Sequence, residues 1–124
     1  PHLNFAPLEN AVAALAQSAE RLEKAWEKAG AGLPDERRRA LNRKLIECER
    51  RLTSPEGLPA RPWFKHLLYA PGAYTGYGVK TLPGVREAIE QDRFADAESE
   101  IVRLAKGLEG LARHLDGLAA DLTR

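Results

Sequence analysis

The chain has no methionine, a single cysteine, and no apolar run near the roughly 20 residues that a membrane-crossing helix needs. It also lacks an excess of one charge: 19 basic and 18 acidic side chains leave a formal net charge of +1. Such a balance excludes a general electrostatic pull toward nucleic acid or an anionic membrane surface. The lone Cys48 excludes an internal disulfide. It falls on the apolar stripe of a helical stretch, which marks it as a small core residue rather than a nucleophile. No signal peptide is visible. A chain without methionine even at position 1 is expected to be a fragment or a processed product of something longer.

Signatures of chemistry are scarce as well. There is no HExxH, no CxxC pair, no phosphate-binding P-loop and no GxSxG. His2, His66 and His114 are scattered, none paired at helical metal-ligand spacing. The carboxylates fall among lysines and arginines at helix-surface spacing, so they read as solvated faces. The run Arg37, Arg38, Arg39 with Arg43 and Lys44 reads the same way. No catalytic residue, metal ligand or cofactor site is therefore expected within this chain.

What the chain does have is helical periodicity. Its 124 residues suffice for one domain with a real core, and the expectation is a single domain over 1–124. The fold class read from the pattern is all-α, an antiparallel bundle of about four helices. The first helix spans about Leu8 to Ala29, with Pro7 at its start and Gly30 and Gly32 at its end. Leu8, Val12, Leu15, Ala19, Leu22 and Trp26 mark one stripe facing a partner helix. A short connection then sends a second helix back antiparallel from about Asp35 to Leu52, with Leu41, Leu45, Cys48 and Leu52 on its stripe. Asp35 and Glu36 suit its N-terminus, Arg50 and Arg51 its C-terminus. Pro83 and Gly84 open a short third helix to about Gln91.

The last helix, from about Ala95 to Leu122, is roughly 40 Å long. Ile101, Leu104, Leu108, Leu111, Leu115, Leu118 and Leu122 follow alternating spacings of three and four. This is the seam of closely packed helices, expected to lie inside the chain against the first helix. Ala105, Ala112 and Ala119 repeat every seven residues beside it. Gly107, Gly110 and Gly117 are unusual inside a helix, where each costs about 1 kcal/mol relative to alanine. Close approach of another backbone would offset that cost, and tolerated glycines on a solvated face are the alternative. Gly107, Gly110, Gly117, Ala105 and Ala112 are the candidate dimerisation positions.

Between the second and third helices lies a long loop, 53–84, with five of the eight prolines, five of the ten glycines and five of the eight aromatics. A connection this long inside a helical domain is usually functional or disordered, and its aromatic content argues against disorder. The reading is an ordered loop that presents a surface. Nothing in it alternates as a strand, and Leu67, Leu68 and Tyr69 form a short extended piece at most. Trp63, Phe64 and Tyr69 are expected to cover the bundle. Tyr74 and Tyr77 stand open to either covering or recognition. Among Gly72, Gly76 and Gly78 they combine close backbone approach with hydroxyl donors, and Lys80 adds a cation.

The loop also carries a family likeness. A helix with Leu45 and Cys48-Glu49-Arg50 leads into Gly57-Leu58-Pro59-Ala60-Arg61-Pro62, then Trp63-Phe64-Lys65-His66, Tyr69-Ala70-Pro71 and Pro83-Gly84. This order resembles the C-terminal helical domain of the transferrin receptor and glutamate carboxypeptidase II family, over Phe5 to Leu122. The resemblance implies a dimerisation domain that pairs two copies in a homodimer beside a zinc-dependent peptidase domain. Two zinc ions, their ligands and the general base would belong to that absent domain. It also implies that the loop reaches the substrate cleft, where a neighbouring Lys-Tyr pair of the family grips a substrate carboxylate. In this chain the pair falls on Gly76 and Tyr77, so the tyrosine is kept and the salt-bridging lysine is lost. The implied substrate-binding set is Tyr77, Gly76, Lys80 and Tyr74, with Lys80 a possible replacement cation. Two further readings stand beside this one: a receptor-like, non-enzymatic family member, and a free-standing helical module whose loop binds a partner protein.

Overall fold

The computed structural model describes residues 2–71 and 79–124. Four helices dominate: α1 (Ala6–Ala29), α2 (Asp35–Arg50), α3 (Pro83–Glu90) and α4 (Phe94–Leu122). Their ends carry the signals expected of them. Pro7 stands in the first turn of α1 and Pro83 in that of α3, where a missing N–H costs nothing. Asp35 and Glu36 occupy the first turn of α2 and Arg50 its last, each opposite in sign to the helix dipole. A 3-10 turn at Gly30–Gly32 joins α1 to α2.

The direction of each helix follows from its contacts. The Asn4 N–H donates to Glu98 at the start of α4 (2.8 Å), and Arg21 pairs with Asp116 further along (3.0 Å). Helices α1 and α4 therefore run parallel. Arg37 donates to the Arg124 carbonyl (2.8 Å), Lys44 pairs with Asp121, and the Arg51 carbonyl lies by Gly107, so α2 runs opposite to both. A uniformly antiparallel bundle does not form, because the chain crosses back through α2 and the long loop before α4 begins.

The seam of α4 packs inward as its spacing predicts. Ile101 and Leu118 are wholly buried, and Leu104, Leu108, Leu111 and Leu122 nearly so. Each such side chain contributes about 1.5–3 kcal/mol relative to exposure. One core cluster gathers Ile101, Leu104 and Leu108 with Ala11, Leu52, Leu67 and Val85. A second gathers Leu118 and Leu122 with Ala25, Leu33 and Leu41. Leu115 and Cys48 pack against both.

Two expectations shift. The buried residues of α1 are Ala11, Ser18 and Ala25, none of which belongs to the stripe read from the sequence. Leu8, Leu15 and Leu22 flank that row, but Val12 is 52% exposed and Trp26 44%. Helix α2 buries only Leu41, leaving Leu45 at 41% and Ile46 at 68% exposure. The apolar stripe on α1 is wide enough for two partners, and α4 covers only one side of it.

The loop contains a small antiparallel hairpin, β1 (Tyr69–Pro71) with β2 (Val79–Thr81), pairing Tyr69 with Thr81, Ala70 with Lys80 and Pro71 with Val79. Three-residue strands are too short to show period-two alternation, so composition alone misses them. The Leu82 N–H donates to the Leu68 carbonyl (2.6 Å), and Leu82 takes a left-handed backbone (φ 46°) at the corner into α3.

Candidate functional site

The ordered part of the loop is held by a chain of backbone and charged contacts. The Leu67 N–H donates to the Leu52 carbonyl (2.8 Å) and the Ser54 N–H to the Lys65 carbonyl (2.8 Å), which closes the segment on itself. Leu58 is buried at its centre. Gly57 adopts φ +71°, and a Cβ there would overlap the Pro62 carbonyl, so only glycine suits this turn.

Two arginines fix the loop to the helices. Arg103 on α4 donates to the Gly57 carbonyl (2.6 Å) and to Ser54 Oγ (3.3 Å), while Glu100 holds its other edge (2.9 Å). Arg61 pairs with Glu87 on α3 at 2.7 Å, with both side chains nearly buried, and its guanidinium lies 5.1 Å from the Phe64 ring centre. The sequence reading treats such carboxylates as solvated surface, and Glu87 and Glu100 correct it. The available signal was position: Glu87 sits within Val85, Ala88 and Ile89 on the inner face of α3, and Glu100 and Arg103 are one turn apart.

His66 is fixed as well. The Leu68 N–H donates to its Nδ1 (3.1 Å), so Nε2 carries the hydrogen that Glu49 accepts (2.9 Å). The basic run of α2 also does more than face water, because Arg37 and Lys44 both reach the end of α4. Cys48 is half-buried and burial pushes its thiol pKa up, which suits a core residue and not a nucleophile.

Trp63 departs from expectation. It is 66% exposed beside Phe64 (ring centres 6.1 Å apart) and does not cover the bundle. The hairpin sets where the chain leaves and rejoins the body of the loop. Gly76, Tyr77 and Tyr74 lie outside the described residues. Lys80 is placed only by its backbone, on β2 opposite Ala70.

The candidate dimerisation residues separate into two groups. Ala105 and Ala112 are buried within the chain. A Cβ on Gly107 would sit 3.1 Å from Leu67, with the Arg51 carbonyl at 3.9 Å, so a neighbouring backbone does approach there. A Cβ on Gly110 would meet only the Arg113 guanidinium, at 3.8 Å, and one on Gly117 nothing within 4 Å; both glycines line a polar groove of about 390 Å³ between α2 and α4, with Lys44, Arg51, Arg113 and His114. Among the described residues no group of three His, Cys, Asp or Glu side chains could hold a metal ion.

Residues 3–116 match the transferrin receptor-like dimerisation domain. The chain belongs to that family. A probable glutamate carboxypeptidase of Arabidopsis thaliana is 52% identical over 52 residues, 42% of this chain and 8% of that protein. One from Arthroderma benhamiae is 33% identical over 109 residues, 87% of this chain and 15% of that protein. An inactive zinc metalloprotease of Schizosaccharomyces pombe is 31% identical over 68 residues, 55% of this chain and 8% of that protein. The chain thus spans a small fraction of the length of these relatives. It is a transferrin receptor-like dimerisation domain of the kind found in glutamate carboxypeptidase-like proteins.

Proposed function

We propose that residues 1–124 form one dimerisation domain of a zinc-dependent exopeptidase resembling glutamate carboxypeptidase, and that the loop completes its substrate pocket. The observation that supports this most is the fixed frame of the loop. Arg61 and Arg103 tie the described part of the loop to α3 and α4, and the hairpin pairs the residues on either side of 72–78, the segment to which the family likeness assigns substrate contacts. The chain's partners in this reading are a second copy of itself and the peptidase domain of the parent protein. That domain carries the two zinc ions and the hydrolytic groups.

Within the pocket, the Tyr77 hydroxyl donates a hydrogen bond to a substrate carboxylate. Gly76 leaves the neighbouring position without a cation, and Lys80 on β2 supplies one, with Tyr74 as a further wall. One hydrogen bond to a charged group is worth about 1.5–3 kcal/mol. Tyr77→Phe in the full-length parent should therefore raise KM about tenfold or more, with kcat little changed. A KM that does not move would remove Tyr77 from the pocket.

The relative named an inactive zinc metalloprotease favours a second reading, in which the parent keeps the dimerisation domain without activity. The zinc content of the purified parent protein separates the two: metal in the active reading, none in the inactive one.

A further inference from the structure

Helix α2 buries only Leu41, and a polar groove of about 390 Å³ stays open between it and α4. Glycine makes the room on the α4 side. Gly110 and Gly117 stand seven residues apart on one face of the helix, with no side chain to fill the space. Two contacts pin the walls. Lys44 on α2 pairs with Asp121 on α4, and the His114 Nε2–H donates to the Lys44 carbonyl (2.7 Å). Nε2 carries the hydrogen because a carbonyl only accepts.

Two guanidinium groups in this groove have no such engagement. Arg51 lines it from just past the end of α2, and Arg113 from α4. Both flank the same stretch of α4. The Arg51 carbonyl lies 3.9 Å from a Cβ built on Gly107, and Arg113 Nη2 lies 3.8 Å from one built on Gly110. Among the described residues, neither arginine makes an ion pair or a side-chain hydrogen bond. Elsewhere in the bundle Arg21, Arg61 and Arg103 each hold a carboxylate. Glu47 also lines the groove, so its charge is mixed, but it pairs with neither arginine. Two like charges that share one groove without a counter-charge repel each other, and an anion between them would remove that cost.

We propose that this groove binds a small tetrahedral oxyanion of the phosphate class, held by Arg51 and Arg113 from its two sides. A guanidinium presents paired N–H donors in a planar fork that matches phosphate oxygens. A tetrahedral anion can turn separate oxygens toward each helix, and near about pH 7 a phosphate group carries more than one negative charge. It therefore answers both arginines at once. A carboxylate has two oxygens in one plane and a single charge, so it serves one arginine and leaves the other unbalanced. The site lies apart from the loop, and it does not depend on the dimer or pocket readings above.

The test is titration of the full chain with sodium phosphate, followed through the arginine Nε–H signals by NMR. Sodium chloride and sodium acetate at matched ionic strength serve as comparisons. Phosphate should give saturating shifts at Arg51 and Arg113 and none at Arg39, which lies outside the groove. Chloride should give no saturation, and acetate should bind about tenfold or more weakly. Arg113→Ala should weaken phosphate binding by about tenfold or more, as loss of a charge-assisted hydrogen bond does. Gly110→Glu keeps both arginines, favours the helix over glycine and sets a carboxylate in the groove. It should abolish phosphate binding with the circular dichroism spectrum unchanged. Arg39→Ala should leave the affinity as it was. Signals that respond alike to phosphate and chloride, or an affinity lowered as much by Arg39→Ala as by Arg113→Ala, would reduce the effect to general surface charge and overturn the site. Phosphate binding that survives Gly110→Glu would place the anion elsewhere. Acetate that binds as tightly as phosphate would overturn the ligand class.

Discussion

Arg61 and Glu87 show how much one residue pair can hold in place. The pair is nearly buried, at 12% and 11% side-chain exposure, and it joins the loop to α3 at 2.7 Å. Taking two charges out of water costs several kcal/mol, which close geometry and mutual attraction recover. Removing one partner leaves the other charge without that recovery. Arg61→Ala should therefore destabilise the chain by about 3–5 kcal/mol, read from the urea midpoint. Arg61→Met combined with Glu87→Leu should regain most of that loss, because an apolar pair carries no such desolvation cost. A single variant that costs under about 1 kcal/mol would show that the pair is not the anchor. At this scale the sequence was only partly legible. The requirement for glycine at position 57 is local and depends on its positive φ and the nearby Pro62 carbonyl. The partnership of Arg61 with Glu87 spans 26 positions and depends on the tertiary fold. A charged residue at surface spacing looks the same whether its face meets water or a loop.

Among the elements, α4 was the most legible. Its three-four spacing names Ile101, Leu104, Leu108, Leu111, Leu118 and Leu122 as buried, with Leu115 partly so, because a side chain every half-heptad returns to the same face of a helix. Helix α1 was harder, since its apolar positions form two adjoining rows and periodicity alone does not say which row meets α4. Ala11, Ser18 and Ala25 won the inner position because small side chains let the two parallel helices approach closely. The hairpin was missed because strands of three residues leave no pattern to read. The glycines of α4 give a prediction that belongs to the element. Nothing lies within 4 Å of a Cβ built on Gly117. Its replacement therefore acts only through helix propensity and chain entropy. Gly117→Ala should stabilise the chain by about 0.5–1 kcal/mol in thermal or urea unfolding. Destabilisation would mean that something else occupies the space above that glycine, as a partner crossing α4 there would.

For the whole molecule, two aspartates tie the long helices together across the bundle. Asp116 joins α4 to α1 through Arg21, and Asp121 joins α4 to α2 through Lys44. The hydrogen bond from Arg21, helped by Ser18 and the nearby positive charge, holds the Asp116 pKa below the usual carboxylate value against an opposing desolvation. The hydrogen bond from Lys44, with the charges of Lys44, Arg124 and Arg37, does the same for Asp121. A carboxyl group with a lowered pKa in the folded state binds its proton later than in the unfolded chain. Its contribution to stability is present above the ordinary aspartate pKa of about 3.9 and disappears as pH falls through the lower folded value. The two helix contacts should thus weaken together in acid. Comparing the chain with an Asp116→Asn and Asp121→Asn double variant tests this. The natural chain should hold the higher urea midpoint near about pH 6, and the gap should shrink toward zero below about pH 4 as the aspartates take up protons. A gap that stays constant across that range would mean the aspartates act through shape and not through charge. The arrangement of α1, α2 and α4 would then rest on the apolar seam alone.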